Sequence, residues 1–125
     1  MNIKKYLIVT GTSVVILASA FSLVFADSQA TFTFKNNTGG QVDDLHIKFN
    51  TAVNVTDDGP FSNVQDNNTS KPTLDGGTVA NGGSATVKVT GQAGKTKVTK
   101  WWWTRGGNRV GPIHHGCKAP DCTSP

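Results

Sequence analysis

Asp44-Leu45-His46-Ile47-Lys48-Phe49 alternates polar and apolar residues without a slip. Successive side chains of an extended strand point to opposite faces, so Leu45, Ile47 and Phe49 share one face and Asp44, His46 and Lys48 the other. Upstream, Ala30-Thr31-Phe32-Thr33-Phe34-Lys35 repeats the pattern with two Phe on one side. Downstream, Ala85, Val87 and Val89 alternate with Thr86, Lys88 and Thr90. Strand signals also cover Val53–Val55, Lys97–Thr104 and Arg109–Val110. Asn36–Gly40, Val79–Gly83, Gly91–Gly94 and Arg105–Asn108 are rich in Gly and Asn, residues that tolerate the backbone angles of tight turns. The polar stretch Thr56–Gly77, with Pro60 and Pro72, reads as a long loop holding one short strand near Phe61–Val64.

Outward from these strands, composition agrees. Past the N-terminal segment the chain has no Glu, Met or Tyr, and Leu only at positions 45 and 74. Strong helix formers are scarce, while β-branched residues and turn formers abound. The expectation is an all-β fold: frequent turns between half-polar strands predict a single antiparallel sandwich.

The N-terminus has a different character. Lys4 and Lys5 precede an apolar run from Tyr6 to about Phe25, which ends in Val24-Phe25-Ala26 before Asp27. A cationic start, an apolar middle and a small-x-small exit are the layout of a secretory signal peptide. Residues 1–26 are assigned to it, with Ala18-Ser19-Ala20 as another cleavage point and an uncleaved anchor as the alternative. Residues 27–113 are the expected sandwich domain and 114–125 an irregular Cys-containing tail. After cleavage no later segment would cross a membrane, and the protein would be secreted, at the cell surface or periplasmic.

Charge is uneven along the chain. Residues 27–83 carry Lys35, Lys48 and Lys71 against seven Asp, a net of −4, whereas residues 84–125 carry seven Lys/Arg against Asp121, a net of +6. Such asymmetry suits an anionic partner, head-to-tail self-association or a solvated basic face.

The F-x-F-x-N-x-x-G opening at Phe32, D-L-x-I-x-F at Asp44 and N-G-G-S-A-T-V-x-V at Asn81 resemble the immunoglobulin-like sandwiches of bacterial and archaeal exported proteins. The likeness covers residues 30–50 and 79–111. It implies architecture; the adhesion, spacing, carbohydrate-binding and assembly roles of such domains do not follow from fold alone.

Two patches near the C-terminus carry the candidate chemistry. In Lys100-Trp101-Trp102-Trp103-Thr104-Arg105, three adjacent Trp cannot all face one side of a strand. With Val98 inward, regular alternation would also bury Lys100, which predicts a bulge near Thr99–Lys100 or an edge strand. Trp101 and Trp103, flanked by Lys100 and Arg105, are the expected exposed ligand platform, suited to polysaccharide; nucleic acid is not expected outside a cell. The competing expectation packs Trp rings in the core, where each buries a large apolar area.

The second patch is His114-His115-Gly116-Cys117-Lys118-Ala119-Pro120-Asp121-Cys122. Two Cys in an exported chain predict a Cys117–Cys122 disulfide, with an intermolecular bond as the alternative. A weaker alternative is a metal site from His114, His115, Cys117 and Cys122, whose imidazole and sulfur ligands suit Zn or Cu(I). No cofactor is expected otherwise. Asp43-Asp44 and Asp57-Asp58-Gly59 match no calcium loop and read as turns. N-x-S/T sequons begin at Asn36, Asn54, Asn67 and Asn68.

No catalytic residue is assigned. There is no nucleophile elbow, acid–base groups are few, and the possible Asp44–His46 pair reads as solvated. The expected function is therefore non-enzymatic: extracellular assembly or surface interaction through self-association or polysaccharide, with a carbohydrate-binding module built on exposed Trp as the alternative.

Overall fold

The computed structural model describes residues 28–92, 95–117 and 121–122. The expected signal peptide, residues 1–26, lies outside them. The strands are β1 (Ser28–Lys35), β2 (Asp44–Phe49), β3 (Asn54–Asp57), β4 (Asn63–Gln65), β5 (Thr73–Asp75), β6 (Ser84–Gly91), β7 (Val98–Arg105), β8 (Asn108–Cys117) and β9 (Asp121–Cys122). They form an all-β sandwich: a four-stranded sheet in the order β9-β1-β6-β3 and a five-stranded sheet in the order β4-β5-β2-β7-β8. Every pairing is antiparallel except β9, which runs parallel to β1 at Thr33 and Phe34.

Alternation decides what lies between the sheets. Phe32 and Phe34 from β1 and Ala85, Val87 and Val89 from β6 meet Leu45, Ile47 and Phe49 from β2, all buried. Trp101 and Trp103 from β7 join them, at 0% and 1% exposure. The rings pack edge-to-face: Phe34 to Trp101 at 5.1 Å, Trp101 to Trp103 at 6.0 Å and Phe32 to Phe49 at 5.7 Å. Such pairs contribute about 0.5–1.5 kcal/mol each beyond burial of their area.

The connection from β1 to β2 is organised by one buried side chain. Asn36 donates from Nδ2 to the carbonyls of Gly40 (2.8 Å) and Val79 (2.9 Å), and its Oδ1 accepts from the Thr38 amide (3.0 Å). This sequon asparagine is fully buried. The β7–β8 hairpin turns on Gly106 and Gly107, with φ of +57° and +82°. Consecutive left-handed residues match the twist of a two-residue hairpin and favour glycine.

Two expectations change. The stretch Thr56–Gly77 contains two short strands, β4 and β5, rather than one near Phe61–Val64. The sandwich does not stop at residue 113: β8 runs on to Cys117, and β9 places Cys122 in the core at 0% exposure. The region expected to be an irregular tail therefore supplies strand to both sheets. Cys117 and Cys122 form the expected intrachain disulfide, with Cα atoms 4.8 Å apart, and it ties β8 of one sheet to β9 of the other.

Candidate functional site

The bulge expected near Thr99–Lys100 is present and decides which tryptophan faces out. Lys48 pairs with Lys100 while Phe49 pairs with Val98, leaving Thr99 as the extra residue on β7. An extra residue resets alternation. Val98, Trp101 and Trp103 then point inward, and Lys100 and Trp102 point outward. The expected platform of Trp101 and Trp103 is thus corrected: both rings fill the core, and the ring on the outer face is Trp102, which is half-buried. Trp103 donates its Nε1–H to the Lys35 carbonyl at 3.3 Å. Trp101 stacks on His114 at 4.0 Å, and its Nε1 has no hydrogen-bond partner among the described residues.

Arg105 does not join Lys100. Five positions along a strand separate the two by roughly 16 Å. Arg105 donates to the Gln41 carbonyl beside the β7–β8 turn.

Register arranges the outer face of the five-stranded sheet in three rows across the strands. The first is acidic and amide-rich. Asp44 lies opposite Thr104, whose hydroxyl donates to Asp44 Oδ2 at 3.0 Å. Asp75 accepts from Asn63 Nδ2 at 2.7 Å and from Gln65 Nε2. Both carboxylates are thereby engaged by neutral donors.

The middle row is aromatic. Thr73, His46 and Trp102 occupy consecutive register positions on β5, β2 and β7. The imidazole of His46 stacks on Trp102 with centroids 5.2 Å apart and planes 6° from parallel. Since the Thr104 hydroxyl donates to Asp44, it accepts from His46 Nε2–H at 3.3 Å. His46 Nδ1 then accepts from the Thr73 hydroxyl, also at 3.3 Å. The chain is self-consistent for a neutral imidazole. Burial lowers the His46 pKa below its ordinary 6.5, against the opposing pull of Asp44 and Asp75. Asp44 and His46, expected to be merely solvated, are instead linked through Thr104, a support that holds the imidazole against the indole.

The third row is cationic. Lys48 lies directly opposite Lys100, and Lys100 opposite His115. Beyond β5 the same pairing continues through hydrogen bonds from the Ile47 amide to the Pro72 carbonyl (3.2 Å) and from Phe49 to Ser70 (2.7 Å), which sets Lys71 beside Lys48. Lys71, Lys100 and His115 are exposed and Lys48 is half-buried. A groove of about 380 Å³ opens between the aromatic and cationic rows, with His46 and Trp102 on one side and the three lysines on the other. The sequence missed this row because Lys71 and Lys48 come from the acidic part of the chain and Lys100 from the basic part. Only the register reveals that they are neighbours.

The metal alternative does not hold. Both sulfurs of Cys117 and Cys122 are used by the disulfide. His114 faces Trp101, where burial first and the neighbouring His115 second lower its pKa, while His115 lies across from Lys100. No group of three or more His, Cys, Asp or Glu among the described residues is placed to hold a metal. The paired carboxylates serve turns and strand ends: Asp57 Oδ1 accepts from the Gly59 amide at 3.0 Å and Asp43 Oδ2 from the Gly106 amide at 3.0 Å. No helix among the described residues is long and apolar enough to cross a membrane. Comparison with family models, curated proteins and solved structures finds no match.

Proposed function

We propose that this chain is exported, non-enzymatic and acts by surface contact, with the outer face of the five-stranded sheet as its carbohydrate-binding surface. Export rests on the cationic-apolar-small layout of residues 1–26 and accords with the disulfide, a bond that persists in oxidising compartments. The observation that carries the binding reading is Trp102, an indole held against His46 beside an open groove. Aromatic rings offer a large, rigid apolar contact, and pockets that combine such a surface with a few polar groups are the usual form of a small-ligand site. The lysines supply hydrogen-bond donors around the ring, and the Thr73 oxygen, whose proton goes to His46, supplies an acceptor; sugar hydroxyls pair with both.

Tryptophan fluorescence of the purified protein, titrated with a panel of soluble polysaccharides, tests this reading. Trp101 and Trp103 contribute buried emission throughout, so a ligand-dependent blue shift reports Trp102. The expected result is such a shift with at least one polysaccharide, abolished in Trp102→Ala, whose thermal midpoint falls by far less than that of Trp101→Ala. Emission unmoved by every polysaccharide sinks the proposal.

A further inference from the structure

We infer that the ligand of this face is an anionic polysaccharide laid across the strands, its acidic groups on the Lys71–Lys48–Lys100 row. This rests on the carbohydrate reading above and names the class of sugar polymer. Neighbouring strands in a sheet stand about 4.8 Å apart, so the three lysines span roughly 10 Å in a line perpendicular to the strands. Like charges directly opposite on adjacent strands repel. Here two such repulsions are placed side by side, and no ion pair with an Asp relieves them among the described residues: Asp44 and Asp75 lie in the far row, engaged with Thr104, Asn63 and Gln65. A polymer with a negative group on successive units would neutralise the row and lay its rings along the groove toward Trp102.

The remainder of the surface argues that this row is particular to the face. On the outer side of the four-stranded sheet, Lys88 lies opposite Thr31 on one side and Asp57 on the other, and is flanked by Thr86 and Thr90. An exposed sheet in this chain is thus built without adjacent cations. A single-stranded nucleic acid is the less suitable polyanion, because its binders array several rings for successive bases. Trp102 is the only Phe or Trp of the described residues that is not buried.

The test measures binding of polygalacturonate, dextran sulfate, unmodified dextran and a poly-dT oligonucleotide to the wild-type protein, at low and high salt. Lys48→Gln/Lys100→Gln and Lys88→Gln variants are measured in parallel. The expected result is binding of an acidic glycan that weakens roughly tenfold or more with added salt, because exposed charge pairs are screened. The double variant loses about tenfold at low salt, the arginine pair Lys48→Arg/Lys100→Arg restores it, and Lys88→Gln binds like wild type. Equal, Trp102-dependent binding of unmodified dextran overturns the inference and leaves the carbohydrate reading standing. Tighter binding of poly-dT than of either acidic glycan overturns both, as does binding of none of the four. An equal loss in Lys88→Gln assigns the effect to net charge and also overturns the cation row.

Discussion

The two outer faces of the sandwich solve the same problem differently. Outside the four-stranded sheet, Thr31, Thr33, Thr86 and Thr90 dominate, with Thr33 and Thr86 sharing a 3.1 Å hydrogen bond and Gln29 reaching Thr56 at 3.3 Å. Threonine suits this position: its β-branched stem favours strand geometry and its hydroxyl meets water or a cross-strand partner. Outside the five-stranded sheet the same requirement is met by an acid row, an aromatic row and a cation row. The first face shows what solvation of a sheet needs in this chain. Whatever the second face has in excess, namely Trp102, the ordered His46 and three adjacent lysines, exceeds that need and is the material of a site.

The sharpest way to break the comparison is to truncate neighbouring tryptophans of β7. Trp101→Ala removes a fully buried ring from the core and is expected to cost about 3–5 kcal/mol in denaturant unfolding. Trp102→Ala forfeits the stack on His46 and is expected to cost about 0.5–1.5 kcal/mol. Comparable losses would mean that Trp102 is a structural residue, and the outer face would no longer stand apart from the core.

Next in size is the bond that joins the sheets. Reducing Cys117–Cys122, or replacing the pair by Ala, opens a small loop and is expected to lower stability by about 2 kcal/mol. The outer face should be indifferent, since no residue of its groove lies beyond β8. A change in stability together with an altered Trp102 emission would tie the face to the clip between the sheets.

How much of this was legible in the sequence depends on the length of each pattern. β1, β2 and β6 each alternate over six or more residues, and their inner faces are the ones the alternation indicates. β4 and β5 have three residues and one apolar side chain each, Val64 and Leu74, which is too short a run to show a period. β9 has two residues; the two Cys announced its disulfide, but its pairing with β1 leaves no pattern. At the tryptophans, burying Lys100 was recognisably wrong and a bulge was the remedy. The consequence, that one inserted residue moves Trp101 and Trp103 into the core and Trp102 outward, follows only once the bulge is fixed at Thr99 by the pairing of Lys48 with Lys100. The cation row was hidden for a related reason: it is a property of register among β2, β7 and the approach to β5, not of any contiguous segment.

A smaller effect sharpens the contrast between the faces directly. If the Lys48–Lys100 pair is held against its own repulsion, Lys100→Thr should stabilise the protein at low salt by about 0.2–1 kcal/mol, and the gain should fade as salt screens the charges. Lys88→Thr, at a position whose register partners are Thr31 and Asp57, relieves no such repulsion and should bring no gain. Differential scanning calorimetry at two ionic strengths reads both. A destabilised Lys100→Thr would show that the row is favourable in the unliganded protein and remove the electrostatic argument for an anionic partner.

The smallest expected effect distinguishes the two sides of the five-stranded sheet by pH. His46 on the outer face and His114 against Trp101 on the core side both have pKa values lowered from 6.5, chiefly by burial. A histidine whose folded-state pKa lies below its unfolded value is protonated first in the unfolded chain. Its stabilising contribution is complete above the unfolded pKa and declines as pH falls through about 6.5 toward the folded value. Thermal midpoints should therefore drop between about pH 7 and pH 5, and His46→Gln and His114→Gln should each flatten part of that slope. His46 has carboxylates opposing the effect of burial, whereas His114 has the further depressing influence of His115. Equal slopes in wild type and both variants would show that neither imidazole is held neutral by the fold. The hydrogen-bond chain from Thr73 through His46 to Asp44 would then lose its role in holding the ring against Trp102.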